Sequence, residues 1–358
     1  MASQSEFERI QQLKENWQRK SGPWGRDLVL RKEYIGNSNV VLLGRTLVTP
    51  PSSLSFFDKQ YTEFFSFISD IETLSKKSKI LIDMNYVYEV KTAALLVLYS
   101  TIEIIQIRSG DKNIIKFTSC KEKRVSVSLW QAGFWDITNQ SELMPKYKKL
   151  KKELEICTAS LAATKAGDES QLRKVVEYAQ ATVLESGLDD ESDLLAYNAI
   201  TESVSNVWQH AYDEAFFENG IDIELAHWWI NVERIRDQFY IVVYDRGAGI
   251  PYTLQKKSWY KIALVDAKGT VHEIPADALS IKLAVEYGNS RFKNDNRGKG
   301  LSEAKEFVQS NPMGTMLIYS GFGDFAFHSE SDTTDLRELP TRFPGTLIQW
   351  NLRLETKK

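Results

Sequence analysis

Four short patterns in a fixed order within the C-terminal half constrain this chain more than any other feature of it. Residues 189–212, DDESDLLAYNAITESVSNVWQHAY, open with acidic and serine residues suited to a helix start and continue with helical periodicity. On such a helix Tyr197, Ile200, Val204, Val207 and Ala211 share an apolar face, and Glu202 and Asn206 sit four residues apart on the opposite side. About 30 residues on, the apolar run 240–244 empties into Asp245-Arg246-Gly247-Ala248-Gly249-Ile250-Pro251. The third pattern, Arg297-Gly298-Lys299-Gly300-Leu301, precedes a helical stretch over 302–309. The fourth, Gly345-Thr346, opens an alternating strand in which Ile348, Trp350, Leu352 and Leu354 face one way.

Each pattern suits a different piece of chemistry. A carboxylate and a carboxamide one helical turn apart suit a general base and a hard cation, because magnesium takes a few oxygen ligands alongside substrate phosphates. A strand running into Asp-x-Gly-x-Gly makes a turn whose carboxylate accepts from an exocyclic amine while the glycines let a flat ring such as adenine approach the backbone. Two glycines before a helix expose N–H groups to phosphate, and the helix dipole adds its favourable end. Singly the signals are weak, since Glu and Asn fall four apart by chance about once in a chain of this length and Asp-x-Gly-x-Gly about once in ten such chains. In this order, each in the strand, loop or helix it needs, they are not a coincidence of composition.

Taken together, the four patterns resemble the superfamily of gyrase, Hsp90, histidine kinases and MutL, over about half the chain. Within it, Glu202-Ser203-Val204-Ser205-Asn206 with His210-Ala211-Tyr212, and Arg297 to Leu301, are most similar to bacterial anti-sigma-factor serine kinases. The resemblance implies a Bergerat-fold α/β sandwich over 175–358, with ATP and Mg2+ as cofactors and an ATP lid at 252–296. It implies Asn206 as the magnesium ligand, Asp245 with Gly247 and Gly249 at the adenine, and Thr346 in support of that contact. Arg297, Gly298, Lys299, Gly300 and Leu301 would wrap the phosphates, and Glu202 would be the catalytic group that polarises the attacking atom. Lys299 reaches a phosphate or faces solvent; His210 extends the Glu202 and Asn206 face or packs the helix end; Arg291 is a further basic group that could reach in from the lid. At about 45 residues the lid is long for an anti-sigma kinase, which separates this chain from their specific activity.

The N-terminal half reads as a second domain, making the whole a mixed α/β (α+β) chain. Phe7, Ile10, Leu13 and Trp17 predict a short amphipathic helix within residues 1–24. Over 25–144 strands at 40–44, 80–83 and 114–118 alternate with helices at 56–74, 92–107 and 123–134, which predicts a small sheet with parallel pairing and covering helices. Residues 80–95, ILIDMNYVYEVKTAAL, resemble the centre of STAS domains, the anti-sigma-antagonist fold, and alignment on Asp83 and Leu95 puts Thr92 at the phosphoacceptor position. Lys91, Ala93 and Ala94 depart from that pattern, and a plain helix N-cap is the competing role for Thr92. Residues 145–174 form the expected junction, with Lys146, Lys148, Lys149, Lys151 and Lys152 read as a solvated connector rather than a nucleic-acid patch.

Composition narrows the partners. With 45 basic and 48 acidic residues the chain has no electrostatic reason to seek nucleic acid or anionic membrane. The apolar stretch 93–105 contains Glu103 and is shorter than the roughly 20 residues a bilayer requires. Two cysteines, Cys120 and Cys157, make no disulfide framework, and the polar N-terminus carries no secretion signal, so a cytoplasmic setting is expected. The resulting expectation is a regulatory ATPase or serine/threonine kinase in partner-switch signalling, acting with a protein partner or a second copy; the alternative is a conformational switch ATPase whose acceptor is water. A histidine kinase would need a phosphoacceptor histidine ahead of the ATP domain, and none precedes His210.

Overall fold

The computed structural model describes residues 34–35, 39–144, 154–186, 190–217, 220–257, 260, 276–287 and 300–354. The N-terminal helix of residues 1–24, the lysine run, Arg291 and Arg297 to Lys299 lie outside the described residues. The chain is mixed α/β and divides into two compact units, Met1–Lys152 and Glu153–Lys358. No helix among the described residues is long and apolar enough to cross a membrane.

In the first unit β1 (Tyr34–Ile35), β2 (Asn39–Leu42), β3 (Arg45–Val48), β5 (Lys79–Ile82) and β7 (Ile115–Phe117) form a sheet in the order β1-β2-β3-β5-β7, with β4 (Ser53–Leu54) and β6 (Glu89–Val90) paired apart from it. The strand expected at 40–44 is instead half of a hairpin: Leu43 and Gly44 both have positive φ, the two-residue turn whose twist suits paired strands. From β3 onward the pairing is parallel, β3 with β5 and β5 with β7, so each connection must cross over through a helix. Those helices are α1 (Tyr61–Ser75) and α2 (Thr92–Ser109). Leu95, Leu96, Val97 and Leu98 are all buried, so α2 is apolar on every side because every side is covered. After α3 (Lys123–Gln131), Gly133 at φ 87° breaks the helix expected to run to 134, and α4 (Phe134–Ile137) follows. The Gln140 carboxamide then takes both backbone groups of Phe117 on the outer edge of β7, accepting from its N–H at 2.8 Å and donating to its carbonyl at 2.9 Å.

In the second unit β8 (Cys157–Ser160), β9 (His227–Ile235), β10 (Gln238–Asp245), β11 (Thr315–His328) and β12 (Thr333–Arg353) make a sheet in the order β11-β12-β10-β9-β8, antiparallel throughout. Residues 153–174 therefore belong to this unit, not to a junction: β8 pairs with β9, and Leu161 and Leu172 join the core. After α5 (Leu161–Lys165), helices α6 (Ser170–Ser186), α7 (Asp190–Asn206) and α10 (Gly300–Ser310) pack apolar residues against one sheet face, including Phe239, Ile241, Val243, Ile348, Trp350 and Leu352. Burying each such side chain is worth about 1.5–3 kcal/mol, which makes this layer the main support of the site.

Two expectations change here. Ile200, Val204, Val207 and Ala211 of the expected apolar face are buried, but Tyr197 is 43% exposed, because Ala196, Ala199 and Ser203 fill the rest of the covered stripe. Gly345 does not open a strand but lies at a bulge inside β12, where the partners of β11 jump from Ser320↔Thr346 to Gly321↔Phe343. Pro340 and Pro344 hid the earlier part of β12; it pairs only with β11 there, and an edge tolerates proline.

Candidate functional site

The register of four adjacent strands lines up the centre of the site. Ser320 of β11 pairs with Thr346 of β12, Thr346 with Asp245 of β10, and Asp245 with Trp228 of β9. All four are buried, at 0%, 7%, 5% and 2% exposure in that order. The Asp245 carboxylate accepts the Gly247 N–H at 2.8 Å and the Thr346 backbone N–H. Burial outweighs these two bonds and pushes its pKa up to about 7. A carboxylate in that condition is short of donors.

The glycines of this turn are required by contact rather than by flexibility. A Cβ on Gly247 would stand 2.3 Å from the Ala211 carbonyl oxygen, and one on Gly345, at φ +88°, would stand 2.0 Å from that of Asp245. These close approaches bring the strand end, the Gly-Thr bulge and the end of the Glu202 helix together. Beyond Asn206 that helix widens into a π-type turn over Val207–Ala211, a feature frequent at functional sites. Ala211 then accepts the Ala248 N–H at 2.8 Å. Tyr212 bridges the next step: its hydroxyl accepts from the Arg246 N–H at 3.0 Å and donates to the His227 carbonyl at 2.8 Å. Burial first, then the Asp245 charge, drives the phenol pKa upward, so it stays neutral.

Glu202 and Asn206 are partly buried on α7, and α10 packs against that helix. Glu202 has a raised pKa, chiefly from burial and secondarily from Glu303 in the first turn of α10. The carboxylate proposed as base thus stands within electrostatic reach of the helix that Gly300 begins and on which Leu301 lies partly buried. His210 lies in the π-type turn with its pKa lowered by burial and by Lys257, a packed and neutral histidine.

The expected lid is not one continuous flap. Helix α8 (Ile250–Leu254) starts directly after the glycine turn, and α9 (Ala276–Tyr287) is built into the unit: Ile281 and Val285 enter the core, and the Asp277 carboxylate accepts the Phe322 N–H at 2.7 Å.

Sequence reasoning missed Ser320, the bridging role of Tyr212, Glu303 and Arg342, which donates to the Ala248 carbonyl at 3.0 Å. Ser320 accepts the Ile250 N–H at 2.9 Å, donates to the Gly345 carbonyl at 3.1 Å and lies 3.1 Å from the Thr346 hydroxyl. Only strand register brings it there; the sequence signal available was one polar residue inside an apolar run.

In the first unit Thr92 is the first residue of α2, and Lys91 holds the N-cap position, which corrects the capping role expected of Thr92. Thr92 is 8% exposed. Asp83 follows β5 directly and is fully buried, its carboxylate accepting from the Asn85 carboxamide at 2.7 Å and the Thr118 hydroxyl at 3.3 Å.

A scan against protein-family models and a search of curated proteins returned no match to this chain.

Proposed function

We propose that the second unit binds magnesium-ATP in a Bergerat-type arrangement and serves as a regulatory ATPase or serine/threonine kinase of the gyrase, Hsp90, histidine-kinase and MutL superfamily. The first unit is then a STAS-like regulatory domain, and the chain acts in partner-switch signalling. One observation carries this reading: Thr346 and Asp245 stand opposite each other at a turn hydrogen-bonded to the end of the helix that bears Glu202 and Asn206. A buried carboxylate with two backbone donors fits an incoming exocyclic amine, which supplies a further one. The Asn206 carboxamide oxygen suits a hard cation shared with phosphate oxygens, and a fold-bound magnesium-ATP would supply the transferable phosphoryl group and its counter-charge. Glu202, with its proton affinity raised by burial and by Glu303, suits proton acceptance from an attacking hydroxyl or water.

The second reading, a switch ATPase that changes association state with water as acceptor, is favoured by the length of 252–296 and by the anchored helix within it. Incubation of the purified chain with γ-labelled ATP, alone and with cell extract, separates the two. Labelled protein supports the kinase, free phosphate alone supports the switch, and failure to bind ATP in calorimetry removes both.

A further inference from the structure

The row Ser320, Thr346, Asp245 contains two hydroxyls and one carboxylate, and proton counting fixes its polarity. Ser320 has one proton. Its oxygen already accepts the Ile250 N–H, and the Gly345 carbonyl at 3.1 Å can only accept. The remaining contact, 3.1 Å between the Ser320 and Thr346 hydroxyls, is then a hydrogen bond only if Thr346 donates. No other assignment satisfies all three contacts at once. Ser320 is wholly buried, so water does not substitute for any of them.

We propose that Ser320 is a specificity-determining residue: by taking the Thr346 proton it leaves Thr346 and Asp245 as an acceptor-only pair, which selects a 6-amino purine over a 6-oxo purine. The inference rests on the reading of this unit as an ATP site and adds to it the basis of base selection. A 6-amino group has two N–H donors to offer such a pair. A 6-oxo group presents an acceptor to acceptors, and the buried lone pairs opposite it go unmatched. Ser320 touches no base; it acts through Thr346. With alanine at 320, the Thr346 hydroxyl is free to turn its proton toward a carbonyl, and the distinction between the two bases weakens.

The test is calorimetric binding of ATP and inosine triphosphate, with magnesium, at pH 8, where Asp245 is mainly ionised. The full-length chain should prefer ATP, and Ser320→Ala should lower the ratio of the two dissociation constants by about tenfold, the scale of one mismatched buried polar contact. A merely structural role would weaken both ligands together and leave the ratio intact. Thr346→Val should also relax the ratio, and in that background Ser320→Ala should change it no further, because the coupling runs through the Thr346 hydroxyl. A ratio in Ser320→Ala within twofold of the parent, or an additive effect in the double variant, overturns the assignment. Should Ser320→Ala fail to fold, an unrelaxed ratio in Thr346→Val overturns it alone. A parent chain that binds ATP without preferring it removes only this inference, whereas one that binds neither nucleotide removes the function it rests on as well.

Discussion

The Ala248 N–H donates to the Ala211 carbonyl across 2.8 Å, and this bond fastens the glycine turn after Asp245 to the helix that carries Glu202 and Asn206. The two segments are 37 residues apart in sequence (248 − 211), and the Tyr212 hydroxyl repeats the connection by accepting the Arg246 N–H.

Gly247 makes that closeness available, since an added Cβ would lie 2.3 Å from the same Ala211 oxygen. Gly247→Ala must push backbone from backbone, so it is expected to cost about 2 kcal/mol or more. On thermal melting the second unit should lose roughly 4–8 °C. An unchanged melting temperature would show that the helix end is free to withdraw.

Asp245 gives a pH dependence whose sign follows from its raised pKa. Below the unfolded value near 3.8 both states hold the proton; between there and about 7 only the folded state does, so rising pH erodes this contribution to the stability of the ligand-free chain across that window. Nucleotide binding runs the other way, because an amine donates to the ionised form. ATP affinity is expected to rise about tenfold from pH 6 to pH 8 as that form becomes dominant. Asp245→Asn should flatten the stability profile and abolish ATP binding while the circular dichroism spectrum persists. A pH-independent affinity in the parent chain would remove this carboxylate from the base contact.

For Glu202 the expected effect falls on turnover alone. Glu202→Gln keeps the shape and removes the basicity, so ATP should bind with near-normal affinity while phosphate or phosphoprotein formation drops by roughly a hundredfold. Full turnover in the variant would take the chemistry away from this helix, and loss of binding would make Glu202 a ligand or packing residue.

Asn206→Ala removes one oxygen suited to magnesium. The part of the ATP affinity that depends on added magnesium should fall, and the part measured in chelator should not. Equal losses in both would assign Asn206 to the helix rather than to the cation.

Several elements of this unit were readable in the sequence because local patterns encode local elements. The run 240–244 is a strand, a helix forms within 189–212 as the periodicity predicts, and Gly247 and Gly249 lie at the turn after Asp245. What escaped was set by partners distant in the chain. Ser320 meets Thr346 only through the register of β11 with β12, and Glu303 meets Glu202 only because two helices pack. Tyr197 shows a second limit: early in a half-covered helix its neighbour Ala196 is the buried residue, which exposes a ring that periodicity alone places inside. β8 and α9 were lost for a third reason, since a four-residue strand and a twelve-residue helix among charged neighbours give too few repeats to establish a period.

Gln140 gives the first unit a property of assembly. A terminal strand ordinarily offers its outward N–H and C=O groups as a template on which another chain can add a strand. At Phe117 both groups are occupied by one carboxamide, which imitates a neighbouring strand for a single residue without itself exposing a further edge. At Phe117 a strand added beyond β7 would find both backbone groups already taken from within the same chain.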